Sequence, residues 1–167
     1  MRFDSLVLVD CWGEEWIKKY NALHVREFYG RILDFVESYE FDKVFFVGNS
    51  SKIHVWFKQF YPDFISVNHI DQIKNYLNDH SSVLICGAAW KACLHQGQFS
   101  FPSFTEKNIN VYTSPYVLDT QMHSTERVTD EHFANDTLPW QKVFNFYHLP
   151  AGTDKNSLPK KTSVSMI

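Results

Sequence analysis

The sequence predicts an α/β domain: a three-layer α/β/α sandwich around a five- or six-stranded, mainly parallel sheet. Three observations predict it. Short apolar, β-branched runs recur along the chain, as expected of strands buried on both faces of a parallel sheet. Between them the apolar residues change to helical spacing, the alternation that builds βαβ units with right-handed crossovers. The chain has 167 residues, 44% of them hydrophobic and 21% charged, the size and composition of one globular domain.

The first strand is Leu6-Val7-Leu8-Val9, ending at Asp10. After Gly13, Trp16, Tyr20 and Leu23 recur at helical spacing, and Phe28, Ile32, Phe35, Val36 and Tyr39 continue the stripe. This predicts a long amphipathic helix with an interruption near His24 to Arg26. Val44-Phe45-Phe46-Val47 reads as the second strand, closed by Gly48-Asn49-Ser50-Ser51, and an aromatic helical segment from Ile53 to Tyr61 stops before Pro62. The third strand is Phe64 to Val67. Asn68 then has the chemistry of an N-cap, with Asp71 at the helix's positive end and Ile70, Ile73, Tyr76 and Leu77 as the apolar stripe. Ser82 to Cys86 is the fourth strand, followed by Gly87-Ala88-Ala89 and a short helix from about Lys91. Ile109 to Tyr112 and Val143 to Phe146 read as the fifth and sixth strands. Residues 1–150 therefore form the domain. Residues 151–167 are polar and aperiodic, a tail expected to be poorly ordered unless it docks on a partner.

Composition narrows the function. Sixteen basic against 19 acidic residues leave a net charge of -3, which gives no general attraction to nucleic acid or an anionic membrane. No apolar run approaches the roughly 20 residues of a membrane span. Three cysteines cannot all pair within one chain, so the expectation is a reduced, cytoplasmic protein with free thiols.

In an open parallel sheet, ligands bind outside the carboxyl ends of the strands. The residues to inspect are Asp10 and Cys11, the Asn49–Lys52 stretch, Asn68 and His69, the segment from Gly87 to Cys93, and Ser114 to Asp119. Cys93 is the sharpest candidate. In the first turn of a helix its thiol would meet free N–H groups that favour thiolate, and Asp10 on a neighbouring strand end could relay its proton. The plain alternative is a small buried hydrophobe, the expected role of Cys86 and an open option for Cys11. Trp12, Trp56 and Trp90 fall near strand ends, to wall a pocket or to pack in the core; Trp12 and Trp90 are the pocket candidates.

The segment Ile85-Cys86-Gly87-Ala88-Ala89-Trp90-Lys91-Ala92-Cys93-Leu94 resembles the nucleophile segment of the isochorismatase-like cysteine hydrolases, which include the nicotinamidases. Leu6-Val7-Leu8-Val9-Asp10 is similar to that family's first strand, and Val117-Leu118-Asp119 to a downstream strand end. The resemblance spans about the first two-thirds of the chain. It implies hydrolysis of a small amide or related C–N bond, with Cys93 as nucleophile and Asp10 as base. It also implies a cis peptide between Ala88 and Ala89, beside backbone donors from Ala89 and Cys93 that form an oxyanion hole. A homo-oligomer is a partner that the resemblance leaves open.

Departures from the family pattern are specific. The family's catalytic Lys ends the third strand, where this chain has Val67-Asn68-His69. Lys52 is the nearest substitute, with Lys91 another, although Lys52 also reads as a solvated loop charge. Cys11 and Trp12 stand where the family commonly has an apolar residue and Gln. His54 and His69 come without an Asp-x-His cluster, so no metal and no other cofactor is expected. The alternative function is a catalytically degenerate member of the fold acting in assembly or partner binding. A third reading is a phosphate-binding, flavodoxin-like domain using Asn49–Lys52.

Overall fold

The computed structural model describes residues 2–88, 93–94, 96–104, 108–120, 128–129 and 131–132, and the backbone of 146–148 and 160–161. Its centre is a parallel sheet. The strands are β1 (Arg2–Val9), β2 (Glu40–Val47), β3 (Ile65–Val67), β4 (Ser82–Gly87), β5 (Asn110–Thr113), β6 (Phe146–His148) and β7 (Lys160–Lys161). They lie in the order β3-β2-β1-β4-β5-β6-β7. All neighbouring pairs from β3 to β6 are parallel, and β7 alone runs antiparallel, against β6. The fold is therefore α/β, as the alternation of patterns predicted.

Register explains the apolar runs. Leu8 pairs with Phe46 on one side and Cys86 on the other, so β1 is central and flanked along its length. Its alternate residues enter two separate clusters. Leu6 and Leu8 join Phe28, Ile32, Phe46 and Phe57, whereas Val7 and Val9 join Phe45, Ile73, Ile85 and Phe101. Residues 6–9 have at most 1% exposure, and each large side chain buried so completely contributes about 1.5–3 kcal/mol.

Among the described residues, helices α1 (Glu14–Ile17), α2 (Ala22–Val36), α3 (Val55–Phe60) and α4 (Asp71–Lys74) connect β1 to β4. The predicted long helix is broken between α1 and α2, before His24 and not at it. Asn21 is the reason: its side chain accepts from the His24 amide and starts α2 afresh. Leu23, counted in the apolar stripe, is 67% exposed. α4 begins two residues later than an Asn68 cap would place it. The Gln72 side chain folds back and accepts from the amides of both Asn68 and His69, taking the donors that such a helix would have left open.

The strands differ from expectation mainly at their polar ends. β1 and β2 extend back to Arg2 and Glu40, held by ion pairs from Arg2 to Glu40 and Asp42. The sixth strand is seen at Phe146–His148; residues 143–145 lie outside the described residues. Two residues of the predicted tail, Lys160–Lys161, add a seventh strand that backbone pairing supports without any apolar pattern.

Candidate functional site

β1 pairs with β2 on one side and β4 on the other, and the chain order reverses there. This is the topological switch point, where the carboxyl ends of two strands part and leave a crevice. Asp10 leaves β1 at this point and Gly87 ends β4 opposite it. The close approach there depends on Gly87, whose φ is +135 and which faces the Val9 carbonyl. Ala88 N–H donates to Val9 O at 3.2 Å, and Asp119 N–H donates to Gly87 O at 3.0 Å. The ends of β1 and β4 and the segment after β5 are thus tied together at one edge.

Asp10 adopts a left-handed backbone conformation, φ 57, which Asp tolerates better than most residues. The Cys93 thiol stands close enough to its half-buried carboxylate to act on its titration. Burial pushes the Asp10 carboxyl above its ordinary range, and the thiol pulls it part of the way back. Cys93 is itself half-buried, while Cys11 and Cys86 are wholly buried. Burial drives both of those thiols up, away from reactivity. The structure therefore brings Asp10 and Cys93 together across the switch point. Cys93 and Leu94 lie in a turn and not in a helix, so the expected help from a helix N-terminus is absent at this thiol.

Asp10 also lines a cleft of about 380 Å³ with Trp12, Trp16, Lys19, Tyr20, Asn49 and Lys52. Trp12 is thus a wall of the cleft, as one reading of its position required. Lys52 shares the cleft, but its Nζ sits 4.8 Å from the centre of the Trp16 ring. Among the described residues no ion pair joins Asp10 to a lysine. Asn68, at the position of the family's Lys, is exposed, and its own amide is taken by Gln72. Ala89, Trp90 and Lys91 lie outside the described residues. The Ala88 amide, expected beside an oxyanion hole, is engaged with Val9 O. Among the described residues, no group of three or more His, Cys, Asp or Glu could hold a metal ion.

The cleft's floor is braced from two sides. Trp12 bridges Ile53, Gly13 N–H donates to Lys52 O at 2.7 Å, and His54 N–H donates to Cys11 O at 3.0 Å. These bonds deliver Lys52 to the cleft. His54 is wholly buried: its Nδ1 accepts from the Trp56 amide and its Nε2 lies 3.1 Å from Glu14 Oε1. The assignment that satisfies both is a neutral ring donating from Nε2. Burial lowers the His54 pKa in keeping with that form. Hydrogen bonds from Arg26 and His54 hold Glu14 at about 2.

One pairing escaped the sequence reading. His24 and Asp119 form a buried pair, Nε2 to Oδ2 2.9 Å, with exposures of 5% and 0%. Burial raises the Asp119 carboxyl, opposed first by its bond to His24. Asp119 was visible as a strand-end residue; His24 stood only as a polar residue in a helix, and no local pattern links positions 95 apart. Asp119→Asn keeps a hydrogen-bonding group but loses the charge, and should cost about 1–3 kcal/mol in a urea melt. An unchanged midpoint would remove the pair from the supports of this edge.

The fold and the site define an α/β protein with a thiol–carboxylate pair at its switch point. Compared with family models, with curated proteins and with solved structures, the chain finds no match.

Proposed function

We propose that the protein is an isochorismatase-like cysteine hydrolase, with that family's three-layer α/β/α sandwich, acting on a small amide or related C–N bond. What supports this reading is the approach of the Cys93 thiol to the Asp10 carboxylate at the sheet's carboxyl edge, close enough to offset part of the effect of burial on that carboxyl. As Cys93 Sγ attacks the carbonyl carbon, its proton passes to the Asp10 carboxylate. The tetrahedral oxyanion takes backbone donors, for which the amides of Ala89 and Cys93 are the candidates. Collapse breaks the C–N bond, and Asp10 returns the proton to the departing nitrogen. Water then gives a proton to Asp10 and attacks the thioester carbon, releasing the acid and the free thiol.

Lys52, with Lys19, lines the same cleft as Asp10 and is the cation we propose for this site. Thiol reactivity tests the reading. A thiol paired with a base alkylates at about pH 6 much faster than free cysteine, whose thiolate is scarce there. Cys93 is expected to do so by about tenfold or more, read by mass spectrometry after iodoacetamide treatment. A rate equal to that of free cysteine overturns the proposal. Lys52→Met keeps most of the stem and removes the charge. It should slow Cys93 alkylation severalfold if Lys52 serves the pair. The seat of Lys52 on Trp16 favours the second reading, a non-catalytic member acting in assembly or partner binding. Unchanged alkylation in Lys52→Met would support that second reading.

A further inference from the structure

We infer that Tyr29 is the positioning residue of the site: its hydroxyl clamps the chain on both sides of Cys11 and so aims the Asp10 carboxylate at Cys93. This rests on the hydrolase reading above, and it concerns a residue outside the thiol–carboxylate pair itself.

Backbone accounting carries the argument. Where β1 ends, the chain leaves extended geometry and each carbonyl needs a new partner. Val9 O accepts from Ala88 N–H at 3.2 Å, and Cys11 O accepts from His54 N–H at 3.0 Å. The two carbonyls between and beyond them, Asp10 O and Trp12 O, converge on one donor. Tyr29 Oη lies 3.3 Å from Asp10 O and 2.9 Å from Trp12 O. One hydroxyl proton is shared between them, held by a ring with no freedom to drift. Tyr29 is wholly buried, edge-on to His54 and to Phe57, each 5.1 Å away.

What the clamp holds is a conformation that Asp10 would not keep unaided. At φ 57 the residue sits in the left-handed region, where the chain turns and its side chain departs from the strand's alternation. Pulling Asp10 O and Trp12 O towards one point is compatible with that turn and not with continued extension. Without the hydroxyl, two part-buried carbonyls lose this donor and the turn loses what closes it. The carboxylate then no longer stands where the Cys93 thiol can reach it.

The test is the pH profile of Cys93 alkylation by iodoacetamide, compared among wild type, Tyr29→Phe, Asp10→Asn and the double variant. At about pH 6 the reaction needs the base, and Tyr29→Phe is expected to lose about tenfold. At about pH 10 the thiolate forms without help, and Tyr29→Phe should match wild type. A merely structural role would instead loosen the site and raise alkylation at every pH. The double variant should react no more slowly than Asp10→Asn alone, because Tyr29 acts through Asp10. A wild-type profile in Tyr29→Phe, with the loss retained in Asp10→Asn, overturns the inference and leaves the hydrolase reading standing. A wild-type profile in Asp10→Asn overturns both. Alkylation of the buried Cys11 and Cys86 reports unfolding. If it appears in Tyr29→Phe, the profile is repeated in ammonium sulfate, which favours the compact state. Failure to fold there as well makes Tyr29 a purely structural residue and ends the inference.

Discussion

Gly87→Ala is expected to destabilise the fold by about 4 kcal/mol or more, the range reserved for severe backbone conflicts. A methyl group at this position would stand 1.9 Å from the Val9 carbonyl oxygen and 2.8 Å from its carbon. Both are backbone atoms of the central strand, so no side chain can swing aside to make room. The φ of +135 adds a second penalty, because it lies outside what an L side chain adopts readily. β1 and β4 would have to separate, breaking the Ala88-to-Val9 bond and the Gly87-to-Leu118 bridge together. Thermal unfolding should fall by about 10 °C or more for a chain of this size. A shift of only a degree or two would mean that the strand ends are looser than these distances describe.

Gly87 also shows what was legible in the sequence. Five strand cores lay in plain view as short apolar runs: residues 6–9, 44–47 and 82–86 fall inside observed strands, and 64–67 and 109–112 each start one residue ahead of theirs. Knowing where strands end was enough to single out Asp10 and Gly87. Their pairing with Cys93 was reachable too, since the parallel order brings those ends to one edge. Other features were hidden for physical reasons. Arg2 to Asp4 and Glu40 to Asp42 each set one Phe, Phe3 and Phe41, between charged residues, so these strand starts do not lengthen the apolar runs. Asn21 breaks the helix by a single side-chain bond, while the aromatic spacing of Trp16 and Tyr20 runs through it unchanged. Tyr29 lies outside the stripe read from helical spacing and is buried on α2 beside Phe28. That its hydroxyl serves the loop after β1 follows only from how α2 packs on the sheet. Lys52 lines the cleft beside Asp10, but its seat on Trp16 could not be foreseen from spacing.

Asp10→Asn is expected to abolish the base-assisted component of Cys93 alkylation and, with it, about two to four orders of magnitude of turnover on any amide the protein hydrolyses. Asn is nearly the same shape, and it is the residue other than Gly that best tolerates the left-handed backbone found here, so the loop should stay closed. It cannot take a proton from the thiol. The same substitution should leave the fold at least as stable, and the sign follows from the carboxyl's environment. Burial raises the Asp10 pKa in the folded state above its value in the unfolded chain. Folding therefore favours the protonated acid. That advantage is complete below the unfolded value of about 3.9 and is lost as pH rises through the folded value. Above it the native state carries a partly desolvated anion, and a neutral amide relieves that cost. Urea melts of the two proteins should nearly coincide at about pH 3, and the variant should be the more stable one at about pH 7. A site that sacrifices stability to keep a usable base behaves in this way. A variant that loses stability at about pH 7 would show Asp10 to be a structural hydrogen-bonding group. A variant that keeps fast Cys93 alkylation at about pH 6 would mean that some other group takes the thiol's proton.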